Sequence, residues 1–133
     1  MTRIEIEVDG TVGTAVLRDE IAPKTIAAIV AALPVEGTAR HVMWSGRACT
    51  LEVPIAEAPA EQEHPVCSIY PGHLVWDRDR LIVAYGASEY RSTLGVQYAT
   101  LLGRLDQNRD AVIAALERMH DGGDTPFRIR PGG

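Results

Sequence analysis

The stretch Arg3-Ile4-Glu5-Ile6-Glu7-Val8-Asp9-Gly10 sets the reading of the whole chain. Ile4, Ile6 and Val8 alternate strictly with Arg3, Glu5 and Glu7, the period of a strand with one buried face. Asp9-Gly10 supplies the chemistry of a tight hairpin turn, and Thr14 to Leu17 return as a second strand. The period then changes. Pro23 suits a first helical turn, and Ile26, Ile29, Val30 and Leu33 follow at i, i+3, i+4 and i+7 as one apolar stripe. Pro34 and Gly37 end this helix, which is expected to pack on the opening hairpin.

Further along, Thr38 to Trp44 and Ala48 to Val53 read as two strands joined at Ser45-Gly46. Residues 54–66 carry three prolines and four acids or amides and read as one long loop. Strand-like runs resume at Cys67 to Tyr70, Leu74 to Trp76 and Leu81 to Tyr85. Turns at Pro71-Gly72 and at Asp77 to Asp79 separate them. Gly86 to Gly95 reads as a polar loop and Gln97 to Leu105 as a strand. Asp106 or Asn108 is placed to cap a second helix, whose stripe is Val112, Ala115, Leu116 and Met119. Arg118 and His120 in its last turn suit the helix dipole. Gly122-Gly123 stops it, and Thr125 to Arg130 closes the fold as a last strand. Many short antiparallel strands with two helices imply a mainly β fold, a closed barrel plugged at its ends by the helices.

The length, 133 residues, is that of a single domain, 1–133. An apolar fraction of 46% and a charged fraction of 23% exclude a disordered or collagen-like chain. Thirteen Lys plus Arg against eighteen Asp plus Glu give a net charge of −5. That balance lacks the electrostatic footprint of phosphate-backbone binding, so no nucleic-acid partner is expected. The nearest basic features, Arg78 with Arg80 and Arg128 with Arg130, have strand spacing and read as solvated faces. Cys49 and Cys67 form no C-x-x-C pair, the N-terminus is no signal peptide, and no apolar run is long enough to span a membrane. A cytoplasmic protein with reduced thiols and no membrane partner is expected.

Motifs exclude further chemistry. There is no G-x-G-x-x-G or Walker A loop, and Ser88 in Gly86-Ala87-Ser88-Glu89-Tyr90 is no nucleophile elbow. The run Glu61-Gln62-Glu63-His64-Pro65-Val66-Cys67 has donor-type residues without ligand spacing and reads as a solvated acidic loop. No metal and no cofactor are expected. His41, His73 and His120 are scattered and read as strand-face, turn or helix-end residues.

Several segments resemble a known family. Ile6-Glu7-Val8-Asp9-Gly10, a second strand and then Ala22-Pro23-Lys24-Thr25 leading a helix look like the start of a cyclophilin. Trp44-Ser45-Gly46, the run Tyr70-Pro71-Gly72-His73-Leu74-Val75-Trp76 with Leu81 to Gly86, and Gln97-Tyr98-Ala99 resemble the small bacterial cyclophilin-like barrels of unknown function. The resemblance spans nearly the whole chain. It implies a closed cyclophilin-like antiparallel β-barrel of about eight strands with two capping helices. It does not carry the isomerase parts across. Cyclophilins place a catalytic Arg directly after a His, whereas here the order is Arg40-His41, which reverses the faces of the two side chains. The Phe-lined proline pocket is also missing, since the chain has one Phe, Phe127.

Six of the seven aromatic residues fall between Trp44 and Tyr98. Trp44 and Arg47 flank one turn, Tyr85 ends a strand, Glu89, Tyr90 and Arg91 lie in the following polar segment, and Tyr98 leads back into the barrel. Strand ends are where barrels carry sites. Tyr and Trp give contact area with a polar tip, and Arg gives a planar fork for carboxylate or amide oxygens. Convergence of these residues would form a pocket that binds a small polar metabolite; turnover there would use Glu52 or Glu89 as acid or base and His41 or His73 as proton shuttle. No spacing fixes a catalytic dyad. The alternatives are a peptidyl-prolyl isomerase or proline-peptide binder, and a homo-oligomeric interaction module assisting a partner enzyme.

Overall fold

A computed structural model describes residues 1–42, 45–53, 55, 59 and 61–132. β1 (Thr2–Val8) and β2 (Thr11–Leu17) form the opening hairpin, with Val8 opposite Thr11 across Asp9 and Gly10. Both turn residues have positive φ, 48° and 83°, the two-residue reversal that matches the right-handed twist of paired strands. α1 (Pro23–Ala32) follows, then β3 (Val35–His41) and β4 (Gly46–Glu52). The short β5 (Pro65–Val66) and β6 (Ser68–Ile69) precede β7 (His73–Asp77) and β8 (Arg80–Glu89). A small hairpin of β9 (Arg91–Ser92) and β10 (Gly95–Val96) leads to β11 (Ala99–Leu105), α2 (Arg109–Gly122) and β12 (Thr125–Pro131).

Eight strands make a ring in the order β2, β1, β12, β3, β4, β8, β7 and β11, and β11 pairs back with β2. Every pairing is antiparallel, so the mainly β, closed barrel expected from the sequence is what forms. Alternate residues of each strand point inward. Ile4, Ile6, Val8, Leu17, Leu74, Val83, Leu102, Phe127 and Ile129 fill one continuous core together with residues of both helices. A second apolar cluster, Ala48, Ile69, Val75, Ile82, Ala84, Tyr90 and Ala99, covers part of the outside of β4, β7, β8 and β11.

The strand directions put the helices at opposite ends. α1 follows the C-terminal end of β2 and precedes the start of β3. α2 lies against the start of β2, where a Cβ on Gly13 would meet Val112 Cγ2 at 2.6 Å and the Gln107 carbonyl at 2.8 Å. All four expected residues of the α2 stripe are buried. In α1 the buried face is Thr25, Ile26 and Ile29, whereas Val30 is exposed. This corrects the i+4 member of that stripe.

Other boundaries differ for identifiable reasons. β3 begins at Val35, before the expected Thr38, because Val35 already pairs with Ile129 just past Pro34. The expected loop from Gly86 is strand to Glu89, since Ser88 pairs with Gly46 on one side and with Ile69 on the other. Asn108 occupies the α2 N-cap position in a left-handed conformation, φ 57°, yet its side chain donates to the Val12 carbonyl at 2.7 Å and does not cap. Asp106 is ion-paired with Arg3 at 2.9 Å. Arg78 sits in the β7–β8 turn at φ 58°, so it does not share a strand face with Arg80. Arg128 and Arg130 do share the outer face of β12, each held by glutamates. Residues 54, 56–58 and 60 of the expected long loop lie outside the described residues.

Candidate functional site

The α1 end of the barrel carries a groove of about 470 Å³, within the range of small-molecule pockets. Trp76 near the end of β7, Arg78 in the following turn, and Gln97 and Tyr98 just before β11 line it, with Asp77 and Thr100 beside them. Tyr98 is 56% exposed and offers its ring to the groove's opening. The Tyr90 hydroxyl donates to Asp77 Oδ2 at 2.6 Å. Burial, and then this bond to a carboxylate, push the Tyr90 phenol far above its usual range, so it stays a neutral donor. Gln62 Nε2 donates to the Tyr98 carbonyl and to Asp77 Oδ1, which fixes one wall. The arrangement offers one exposed aromatic ring, Tyr98, over a floor that includes the edge of Trp76, which is itself 3% exposed in the core, with a guanidinium, an amide and a carboxylate within one concavity.

Glu63, the next residue, does separate work. Its carboxylate accepts from the Thr25 amide at 2.7 Å, the Thr25 hydroxyl at 2.8 Å and the Lys24 amide at 3.3 Å. These amides belong to the first turn of α1, whose N-cap residue, Ala22, has no side-chain cap. Burial alone would raise the Glu63 pKa, but the bonds from Thr25 and Lys24 hold it below the usual carboxylate range. The expected solvated acidic loop is therefore, at this residue, a helix cap.

At the α2 end, three side chains meet around one hydroxyl. Tyr85, 2% exposed on β8, has its oxygen 2.7 Å from His41 Nδ1 and 3.3 Å from His120 Nδ1. The two imidazole centroids are 4.6 Å apart, nearly perpendicular. Burial, the His120 charge and the Arg47 charge lower the His41 pKa. Burial chiefly, with Cys49 adding to it, pushes the Tyr85 phenol up to about 12. His41 reaches this place because it stands two residues after inward-facing Ala39. Arg40 faces outward and pairs with Asp124 at 3.3 Å.

The seven sequence-predicted site residues separate. Trp44 lies outside the described residues. Tyr85 joins the α2-end cluster, with Arg47 in electrostatic reach of it; the Arg47 stem crosses β8 where a Cβ on Gly86 would meet it at 2.7 Å. Glu89 and Arg91 pair with each other at 2.5 Å. Tyr90 is buried in the outer cluster, and Tyr98 lines the groove. The expected convergence on one cavity is thus corrected, since inward Tyr85 and outward Tyr90 occupy separate clusters on opposite faces of the barrel wall. Sequence reading left out Trp76, Asp77 and Arg78, and left His41 and His120 dispersed. Helical spacing held the missing signal for His120, which lies four residues after Leu116 at the margin of the buried stripe.

Comparison with solved structures supports the fold. The chain superposes on a structure of McbB in complex with tryptophan at a TM-score of 0.75 and 21% identity, over 98% of this chain and 45% of that one. It therefore spans less than half the McbB chain. It also superposes on the solution structure of the hypothetical protein AF2241 from Archaeoglobus fulgidus, at a TM-score of 0.66 and 16% identity, over 98% of this chain and 95% of that one. No curated protein matches the sequence. A family model matches residues 4–130, and the chain accordingly belongs to the family described as protein of unknown function DUF3830.

Proposed function

We propose that the protein binds a small, planar, polar organic molecule in the groove at the α1 end of the barrel. The observation that carries this reading is the grouping of Trp76, Tyr98, Arg78 and Gln97 around one concavity of about 470 Å³. Aromatic faces give contact area at little entropic cost, the guanidinium fork suits a carboxylate or amide oxygen, and Gln97 can both donate and accept. Tyr90 contributes from beneath by fixing Asp77. The reading is in keeping with the superposition on part of a chain, McbB, whose structure is that of a complex with tryptophan.

The test is a thermal-shift and fluorescence screen of aromatic amino acids, aromatic carboxylates and cyclic amides. A Trp44→Phe background assigns the remaining tryptophan emission to Trp76. A ligand is expected to raise the melting midpoint and change that emission. Tyr98→Ala is expected to weaken binding by about tenfold or more, the scale of a lost aromatic contact. Ligands that bind equally well to Tyr98→Ala and Arg78→Gln would place the site elsewhere and overturn the reading.

A further inference from the structure

The α2-end cluster has a property that follows from counting protons. The Tyr85 hydroxyl owns one proton, yet its oxygen stands within hydrogen-bond distance of two Nδ1 atoms, 2.7 Å from that of His41 and 3.3 Å from that of His120. Two bare Nδ1 atoms would leave one lone pair facing the oxygen's own lone pairs. Two protonated Nδ1 atoms would leave the hydroxyl proton with no acceptor among the described contacts of a side chain that is 2% exposed. The first sets lone pairs against each other at the Tyr85 oxygen, and the second leaves a buried hydroxyl proton unmet. The satisfied arrangement has one ring protonated at Nδ1 and the other at Nε2. The short contact suits O–H donation to His41, and the long one suits N–H donation from His120.

We propose that His41, Tyr85 and His120 form a proton-transfer site, distinct from the groove, that acts on a small carboxylate bearing an exchangeable proton, with Arg47 meeting the carboxylate. In the assigned tautomers His120 presents a bare Nε2 as base and His41 presents an Nε2–H as acid. A proton taken at His120 Nε2 displaces the Nδ1 proton onto the Tyr85 oxygen. The hydroxyl's own proton passes to His41 Nδ1, and His41 releases its Nε2 proton. One proton enters, one leaves, and Tyr85 is a neutral phenol before and after. The rings have exchanged tautomers, and exchange with water at exposed His120 restores them.

Access and charge fit this role. His120 is exposed in the last turn of α2 and His41 is half-buried at the end of β3. Arg47 on β4 is exposed and has no ion pair among the described residues. The other titratable groups that act on the cluster are Cys49 on β4 and Glu117 and Asp121 on α2. Cys49 is fully buried and its thiol is pushed up to about 12, so it stays protonated and outside the exchange.

Long-range 1H–15N NMR of the imidazole rings at pH 8 tests the tautomers. One ring is expected as Nδ1–H and the other as Nε2–H, and Tyr85→Phe, which removes only the hydroxyl, is expected to abolish the Nδ1–H form. Two Nε2–H rings in the unaltered protein would overturn the proposal. Pyruvate in D2O tests the chemistry, because its methyl protons exchange on enolisation. The protein is expected to accelerate this exchange, and Tyr85→Phe and His120→Gln are each expected to reduce the acceleration about 100-fold. His120 is exposed, so its substitution keeps the fold. No acceleration, or acceleration that survives both substitutions, would equally overturn it. Either result leaves the groove reading untouched.

Discussion

At the scale of single residues, the environment given by alternate-face packing decides chemistry more than residue type does. Cys49 and Cys67 are both free thiols. Cys49 points into the core at 1% exposure, and burial pushes its pKa up to about 12, whereas Cys67 is half-buried beside β6. Only the thiolate is nucleophilic. Cys67 is therefore expected to react with a thiol reagent such as iodoacetamide in the native state at pH 8, and Cys49 only after denaturation; equal native labelling on peptide mapping would contradict this. The same alternation made part of the site legible. That Arg40 and His41 take opposite faces followed from their adjacency, and the structure puts Arg40 outside and His41 inside. What a period of two cannot show is which inward residue of one strand meets which helix residue. His41, Tyr85 and His120 come from segments 35 to 79 positions apart, and each read alone was an ordinary residue.

At the scale of elements, α1 is finished by a residue from the middle of the chain. Its first-turn amides are satisfied by the Glu63 carboxylate, 38 positions beyond Thr25. A negative charge also complements the positive end of the helix dipole. Glu63→Ala is expected to cost about 1 kcal/mol at pH 7, the scale of a lost N-cap, read as a lower denaturation midpoint. The folded-state pKa of Glu63 is depressed. Its contribution is thus complete above the unfolded carboxylate pKa of about 4.3, and fades as pH falls through the folded value. The difference between variant and wild type should shrink toward zero below that value; a gap that stayed constant from pH 7 to pH 3 would show that the charge plays no part. The β1–β2 hairpin and the α2 stripe were legible because local periodicity and turn residues determined them. The α1 cap was not, because its partner is distant and the local positions Ala22 and Pro23 carry no capping group. The extension of β8 through Gly86 to Glu89 was hidden for the same reason, since its pairing with β4 and β6 overrides a polar composition.

At the scale of the whole molecule, the ring closes where β11 meets β2, through the pairs Gly103 with Leu17, Arg104 with Val16 and Leu105 with Ala15. The seam joins segments far apart in the sequence and is three residue pairs long. Gly103 permits it, because a Cβ there would meet the Val16 carbonyl oxygen at 2.0 Å and the Leu17 Cα at 2.9 Å. Backbone cannot yield as a flexible side chain does, so Gly103→Ala is expected to part the strands, at a cost of about 1–3 kcal/mol for overpacking. Parting them does more than lower stability. A barrel has no free strand edge, while an opened one has two, each with a row of unpaired amides and carbonyls that another chain can complete. The variant should therefore form concentration-dependent multimers in light scattering, and a strictly monomeric Gly103→Ala protein would show that the seam tolerates the methyl group. One glycine, on this account, separates a self-contained molecule from one that recruits its own copies.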